Sequence, residues 1–258
     1  MRTILFLILL LGPVVTARAQ AVFSDDSVIS EQDTGVSVTL AVTMATHVTN
    51  DNCLVQITSS VSSRTISSIT SGWTLIDEFS TGGGIRTFWY QKRMASGAET
   101  LSVTFDSSTG QQWARVWCYG DGVTTGTAFY NHEEEEMLTD PDTLPGISTT
   151  ADNDLVIIVC SESDNLITAA TVTATNPAAF TLNGAFTPSS LGNDLVMFGY
   201  SATRTTAGAT GTITIDPSGG LFNGMHCLAV ALTTDTTPPS TSKGIKAFTR
   251  AQQTRRNQ

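Results

Sequence analysis

The sequence predicts an all-β protein, a jelly-roll-like antiparallel β-sandwich built from two similar repeats. Three observations carry that prediction. Only 14% of the 258 residues are charged, against about 25% in an average domain. About a quarter of the chain is Ser or Thr, whereas helical bundles and coiled coils draw on Ala, Glu, Lys, Leu and Arg. Short β-branched or aromatic runs recur roughly every ten residues between Gly, Ser, Asn and Asp clusters, which suits a sandwich better than alternating βα units. The chain also matches itself, as set out below.

The first element is a targeting segment. Arg2, the apolar run over 4–11 and the small-x-small pattern Ala17-Arg18-Ala19 read as a cleavable leader over 1–19. The run falls short of the ~20 residues needed to cross a bilayer. The mature chain is therefore expected to begin at Gln20, to lack a transmembrane segment and to be secreted, periplasmic or held at the cell surface. No Asn-x-Ser/Thr sequon occurs, which leans toward a bacterial or phage source.

Strands are expected at 36–45, 53–59, 73–79, 85–94, 99–105 and 112–119, making a first repeat over 20–130. A second set at 154–160, 194–203, 210–215 and 224–232 makes a second repeat over 151–235. Gly-rich turns at 81–84, 96–97, 107–110 and 217–220 punctuate the hairpins. The acidic stretch 131–150 reads as a solvated connection, its core the run His132-Glu133-Glu134-Glu135-Glu136. Residues 236–258, opening on the Pro-containing segment 236–242, read as a flexible basic tail.

Laid against itself, the first half matches the second in order. Residues 52–57 resemble 154–158, and Trp73-Thr74-Leu75 resembles Phe180-Thr181-Leu182. Phe88-Trp89-Tyr90 meets Phe198-Gly199-Tyr200, and 100–106 meets 210–216, both at an offset of 110. Val116-Trp117-Cys118 falls against Met225-His226-Cys227.

The order Asp51-Asn52-Cys53-Leu54-Val55, Gly72-Trp73-Thr74-Leu75, Phe88-Trp89-Tyr90-Gln91-Lys92, Gly97-Ala98-Glu99 and Tyr119-Gly120-Asp121-Gly122-Val123 resembles a group of β-sandwich proteins. These occur as bacteriophage virion or tail-associated proteins and as secreted bacterial modules. The resemblance spans most of 45–233 and rests on core and turn residues, so it implies a fold and carries no catalytic signature.

Charge is divided along the chain. Residues 21–237 hold all 23 acids and six bases, and the part from Pro238 on holds five bases (Lys243, Lys246, Arg250, Arg255, Arg256) and no acid. An acidic body lacks the basic footprint that nucleic acid needs, so only the tail could meet an anionic surface, or the protein's own body.

Four cysteines in an exported chain allow three pairings. One bridge per repeat, Cys53–Cys118 and Cys160–Cys227, is preferred because Cys118 and Cys227 fall at equivalent repeat positions; four buried thiols are the alternative. No zinc site is expected, since there is no C-x-x-C and His226 stands alone beside Cys227. Calcium is the one cofactor considered, at Asp152-Asn153-Asp154 or between Asp140 and Asp142, although the spaced Asp-x-Asp-x-Asp-Gly pattern is missing.

No G-x-S-x-G, P-loop, G-x-G-x-x-G or H-E-x-x-H occurs. Carboxylate pairs for glycoside hydrolysis could be drawn from Asp77, Glu78 or Asp121, yet nothing singles them out, and no enzymatic activity is expected. The aromatic strands are the best contact surface. Alternation over 112–119 places Trp113, Arg115, Trp117 and Tyr119 on one face and Ala114, Val116 and Cys118 on the other. The larger set either packs between sheets or forms a platform on which sugar rings stack. Trp89 poses the same question, and its counterpart Gly199 shows that the shared fold does not require the indole. Two functions follow as expectations: a non-enzymatic module adhering to cell-surface polysaccharide, or a structural subunit of a virion or extracellular assembly that contacts other copies of itself.

Overall fold

Periodicity separates two kinds of strand in the computed structural model, which describes residues 22–32, 39–43, 50–80, 84–95, 97–107, 110–120, 129–162, 170–186, 196–218 and 224–233. The expected leader, the basic tail and Asp121 lie outside the described residues. No helix occurs among the described residues, and Gln20–Asp235 form one compact unit.

The first half holds β1 (Val22–Gln32), β2 (Thr39–Thr43), β3 (Asn52–Ser59), β4 (Ile66–Ile69), β5 (Thr74–Ser80), β6 (Arg86–Arg93), β7 (Thr100–Phe105) and β8 (Gln112–Gly120). The second holds β9 (Phe129–Met137), β10 (Asp142–Leu144), β11 (Ser148–Thr149), β12 (Asp154–Glu162), β13 (Ala170–Ala174), β14 (Thr181–Phe186), β15 (Val196–Arg204), β16 (Gly208–Ala209), β17 (Ile213–Pro217) and β18 (Met225–Leu232). Strand β7 alternates, with Leu101, Val103 and Phe105 buried and Thr100, Ser102 and Thr104 more open, as a sheet with one wet face requires. Strands β3, β12 and β18 are buried at every residue, and β8 at all but Gly120. Both faces of the sheets they build must therefore be covered.

The topology supplies the covers. Each half pairs a five-stranded antiparallel sheet, β1-β8-β3-β6-β5 or β9-β18-β12-β15-β14, with a three-stranded one, β2-β7-β4 or β10-β17-β13. The two orders are the same strand for strand, and they are compatible with jelly-roll winding. Apolar side chains fill the space inside each half: Val55, Ile57, Phe88, Leu101 and Val116 in the first, Val156, Ile158, Phe198, Ile213 and Ala229 in the second. A third apolar layer lies between the two five-stranded sheets, with Leu54, Trp89, Trp117 and Tyr119 meeting Phe129, Ile157, Val159, Leu228, Val230 and Leu232. The result is four stacked layers, two sandwiches joined through their larger sheets.

Register fixes the equivalence of the halves. Tyr90 lies opposite Leu75 and Val55, and Tyr200 opposite Leu182 and Ile158. A bulge follows Leu75 and another follows Leu182, and a bulge repeated at one place marks a shared design. With Tyr90 and Tyr200 aligned, Val116 corresponds to Ala229. Cys118 then corresponds to Ala231 and Cys227 to Ala114, which corrects the sequence alignment of the two cysteines by four residues. The bridges Cys53–Cys118 and Cys160–Cys227 are present, but they sit at opposite ends of their strand pairs and are not copies of each other.

The same alignment exposes a pseudo-two-fold axis through the middle layer. Strand β5 faces β9, and its counterpart β14 faces β1. Thr87 bonds His226, while their counterparts Met197 and Trp113 pack together. Such reciprocity is the mark of an isologous contact.

The acidic stretch departs from expectation. Residues 129–137 form edge strand β9, paired along its length with β18, so 131–150 carries β9, β10 and β11 in place of a solvated connection. Glu133 and Glu135 point outward and His132, Glu134 and Glu136 are half-buried. An edge strand with charge on its open face is stable and resists pairing with other chains, which is why the glutamates do not prevent strand formation.

Candidate functional site

Of the two arrangements open to the aromatic face, packing between sheets is the one the structure has, and the exposed platform is not formed. Trp89, Trp117 and Tyr119 are 0% exposed, Trp113 1% and Arg115 2%, so none offers a surface to a sugar ring. The platform is covered by the second repeat's large sheet, because each five-stranded sheet has an apolar face on both sides and only its twin can cover the inner one. Trp117 lies against the backbone of Gly199, where a Cβ would come within 2.9 Å of the indole. The guanidinium of Arg115 stacks 4.0 Å from the Trp117 ring centroid, and its Nη1 donates to the Met197 carbonyl at 3.4 Å. Tyr119 Oη accepts from Asn183 at 3.2 Å, and burial pushes the Tyr119 phenol far up. These residues join the repeats.

A buried polar group closes one end of that layer. Thr87 Oγ1 lies 2.9 Å from Ser161 Oγ and 3.2 Å from His226 Nδ1, and Phe79 packs edge-on against the His226 ring. Burial lowers the His226 pKa to about 4, so the fold holds a neutral imidazole. Above about pH 6.5 neither the folded nor the unfolded chain protonates it. Between 6.5 and about 4 only the unfolded chain takes the proton, so stability falls with pH by about 3 kcal/mol across that window. In urea unfolding at pH 7.5 and 4.5, His226→Gln is expected to lose clearly less stability between the two pH values than the unaltered protein. Equal losses would mean that the folded chain protonates His226 at its ordinary pKa.

The edge strands β5 and β9 bring together residues 55 positions apart. Asp77 follows the bulge in β5, and His132 follows the irregularity at Asn131, whose φ is 51°. Bulges re-aim side chains, and here His132 Nε2 approaches Asp77 Oδ2 to 2.9 Å. Glu134, two residues along the same face of β9, completes a set whose ligand atoms all lie within 4.8 Å of one another. Burial raises the Glu134 carboxyl, and Asp77 raises it further through a hydrogen bond and its charge. Asp77 Oδ1 accepts the Glu78 backbone N–H, while Glu78 turns to Arg86 at 2.7 Å. The carboxylates paired by the fold are thus Asp77 and Glu134, not the neighbours Asp77 and Glu78.

Asp152, Asp154 and Asp142, in the loops considered for calcium, accept hydrogen bonds from the protein itself. Asp154 Oδ2 accepts from Tyr130 Oη and from the backbone N–H of Thr150 and Ala151, and Asp152 Oδ1 accepts from Ala207. Burial alone would raise Asp142, but the N–H groups of Thr143, Leu138 and Thr139 hold it below the usual carboxylate range.

Among the described residues no helix is long and apolar enough to cross a membrane. Compared with protein-family models, curated proteins and solved structures, the chain gives no match.

Proposed function

We propose that the protein is an exported, non-enzymatic structural subunit that associates with further copies of itself in an extracellular or virion-type assembly. The observation that carries this reading is the division of charge: an acidic body with 23 acids against six bases over 21–237, and an acid-free tail with five bases. Opposite charge on two parts of one chain favours contact between a tail and a neighbouring body, at a range set by the ionic strength. The resemblance to virion-associated and secreted sandwiches agrees with this reading. Polysaccharide adhesion is the weaker alternative, because the Trp and Tyr side chains on which it depended are spent in joining the repeats.

Sedimentation velocity over a concentration series tests the proposal. The purified chain is expected to associate at low salt, to dissociate in 1 M NaCl, where the Debye length is about 3 Å, and to lose association when 238–258 are removed. A monomer at every concentration that binds a polysaccharide saturably would overturn the assembly reading in favour of adhesion.

A further inference from the structure

The geometry points to a divalent transition-metal site at Asp77, His132 and Glu134, taking Zn²⁺ or a close relative and clamping the first repeat to the second. Three features argue for it, none of which depends on the assembly role proposed above.

The first is the donor set. One imidazole nitrogen and two carboxylates form a mixed N/O set of the kind zinc and its neighbours bind. Calcium and magnesium want oxygen alone and more of it. A tetrahedral ion about 2.1 Å from each ligand atom requires those atoms to stand about 3.4 Å apart. Here the three lie within 4.8 Å of one another, with His132 Nε2 and Asp77 Oδ2 at 2.9 Å. Rotation of half-open side chains closes the remaining gap, and three protein ligands leave a fourth position for water.

The second feature is placement. Asp77 belongs to β5 of the first half, His132 and Glu134 to β9 of the second, so an ion bound here bridges two edge strands that no backbone ladder connects. Glu133, Glu135 and Glu136 on the same strand add negative field that concentrates a dication, and the site is open enough for it to enter, with the His132 and Asp77 side chains 35% and 28% exposed.

The third feature is an internal control supplied by the duplication. The β5 bulge places Asp77 opposite Trp89, and the β14 bulge places Gly184 opposite Gly199. Gly184 thus occupies the place of Asp77 in the second repeat, and the shared fold has no need of a carboxylate there.

Calorimetric titration of the EDTA-stripped, dialysed chain with ZnCl₂ tests the site, alongside thermal unfolding with and without the ion. One Zn²⁺ per chain is expected, with a rise in Tm that the same concentration of CaCl₂ does not produce. His132→Gln and Glu134→Gln are expected to weaken Zn²⁺ binding at least tenfold and to abolish the Tm rise, while leaving the Tm in EDTA near that of the unaltered chain. Glu133→Gln and Glu135→Gln, on the outward face of β9, remove only part of the surrounding field and should weaken binding far less. Absence of saturable binding overturns the proposal. So does binding that survives His132→Gln, or that weakens equally in the outward-face variants, since either would mean diffuse attraction to an acidic edge.

Discussion

Trp117→Ala is expected to lower the unfolding free energy by about 4 kcal/mol, the usual cost of deleting a fully buried indole. The side chain is 0% exposed in the layer between the two large sheets, and three of its neighbours cannot fill the space it leaves. Gly199 has no side chain to extend, the backbone on either side of it is held in the β12 and β14 ladders, and Arg115 would keep a buried charge while losing the ring it stacks on. The complementary change tests the same contact from the other side. A Cβ at Gly199 would stand 2.9 Å from Cζ3 and 3.0 Å from two more atoms of the Trp117 ring, closer than real Cβ contacts allow, so Gly199→Ala must displace an indole packed on every side. In the Trp117→Ala background the same alanine enters the vacated space. A double-mutant cycle by urea unfolding should therefore show Gly199→Ala destabilising the unaltered protein and costing little, or stabilising, in the variant. Additive effects would mean that the indole does not rest on Gly199.

That contact also shows what the residues could and could not reveal. Alternation along 112–119 put Trp113, Arg115, Trp117 and Tyr119 on one face, and pairing Trp89 with Gly199 showed that the halves differ at one place. Period-2 patterning specifies which side chains share a face but is silent on what covers that face. Sugar and sheet were both consistent with four large side chains in a row, with packing between sheets the commoner arrangement. The clue lay in strands of the other half: β12 runs from Leu155 to Cys160 and β18 from Cys227 to Leu232 without a polar residue on either side, the pattern of sheets buried twice.

Strand β9 was missed because four consecutive glutamates have low β propensity, and an edge position tolerates them. Its one legible signal was His132-x-Glu134, which in a strand puts both donors on one face. Asp77 could not have been joined to them by spacing, because the three meet only through the pseudo-two-fold packing of the halves. The cysteine alignment failed differently. Two Cys-ending triplets look alike in sequence, but ladder register, fixed by Tyr90 and Tyr200, places them four residues apart.

Removing the bridge of the first half, as Cys53→Ala with Cys118→Ala, is expected to cost about 4 kcal/mol. The bridge closes a separation of 65 residues, and loop closure of that length removes about this much free energy from the unfolded chain. For a unit the size of 20–235 the loss corresponds to a fall in Tm of roughly 10 °C. The shape of the transition says more than its midpoint. Each half leaves one face of its large sheet apolar, and among the described residues that face is covered by the other half, so neither sandwich can unfold without exposing the residues around Trp117, Val159 and Leu228. Calorimetry of the variant should therefore show one transition, shifted as a whole, even though the lost bridge lies wholly in the first half. Two transitions, one displaced and one left at the original temperature, would mean that the sandwiches are independent folding units and that the middle layer contributes little to either.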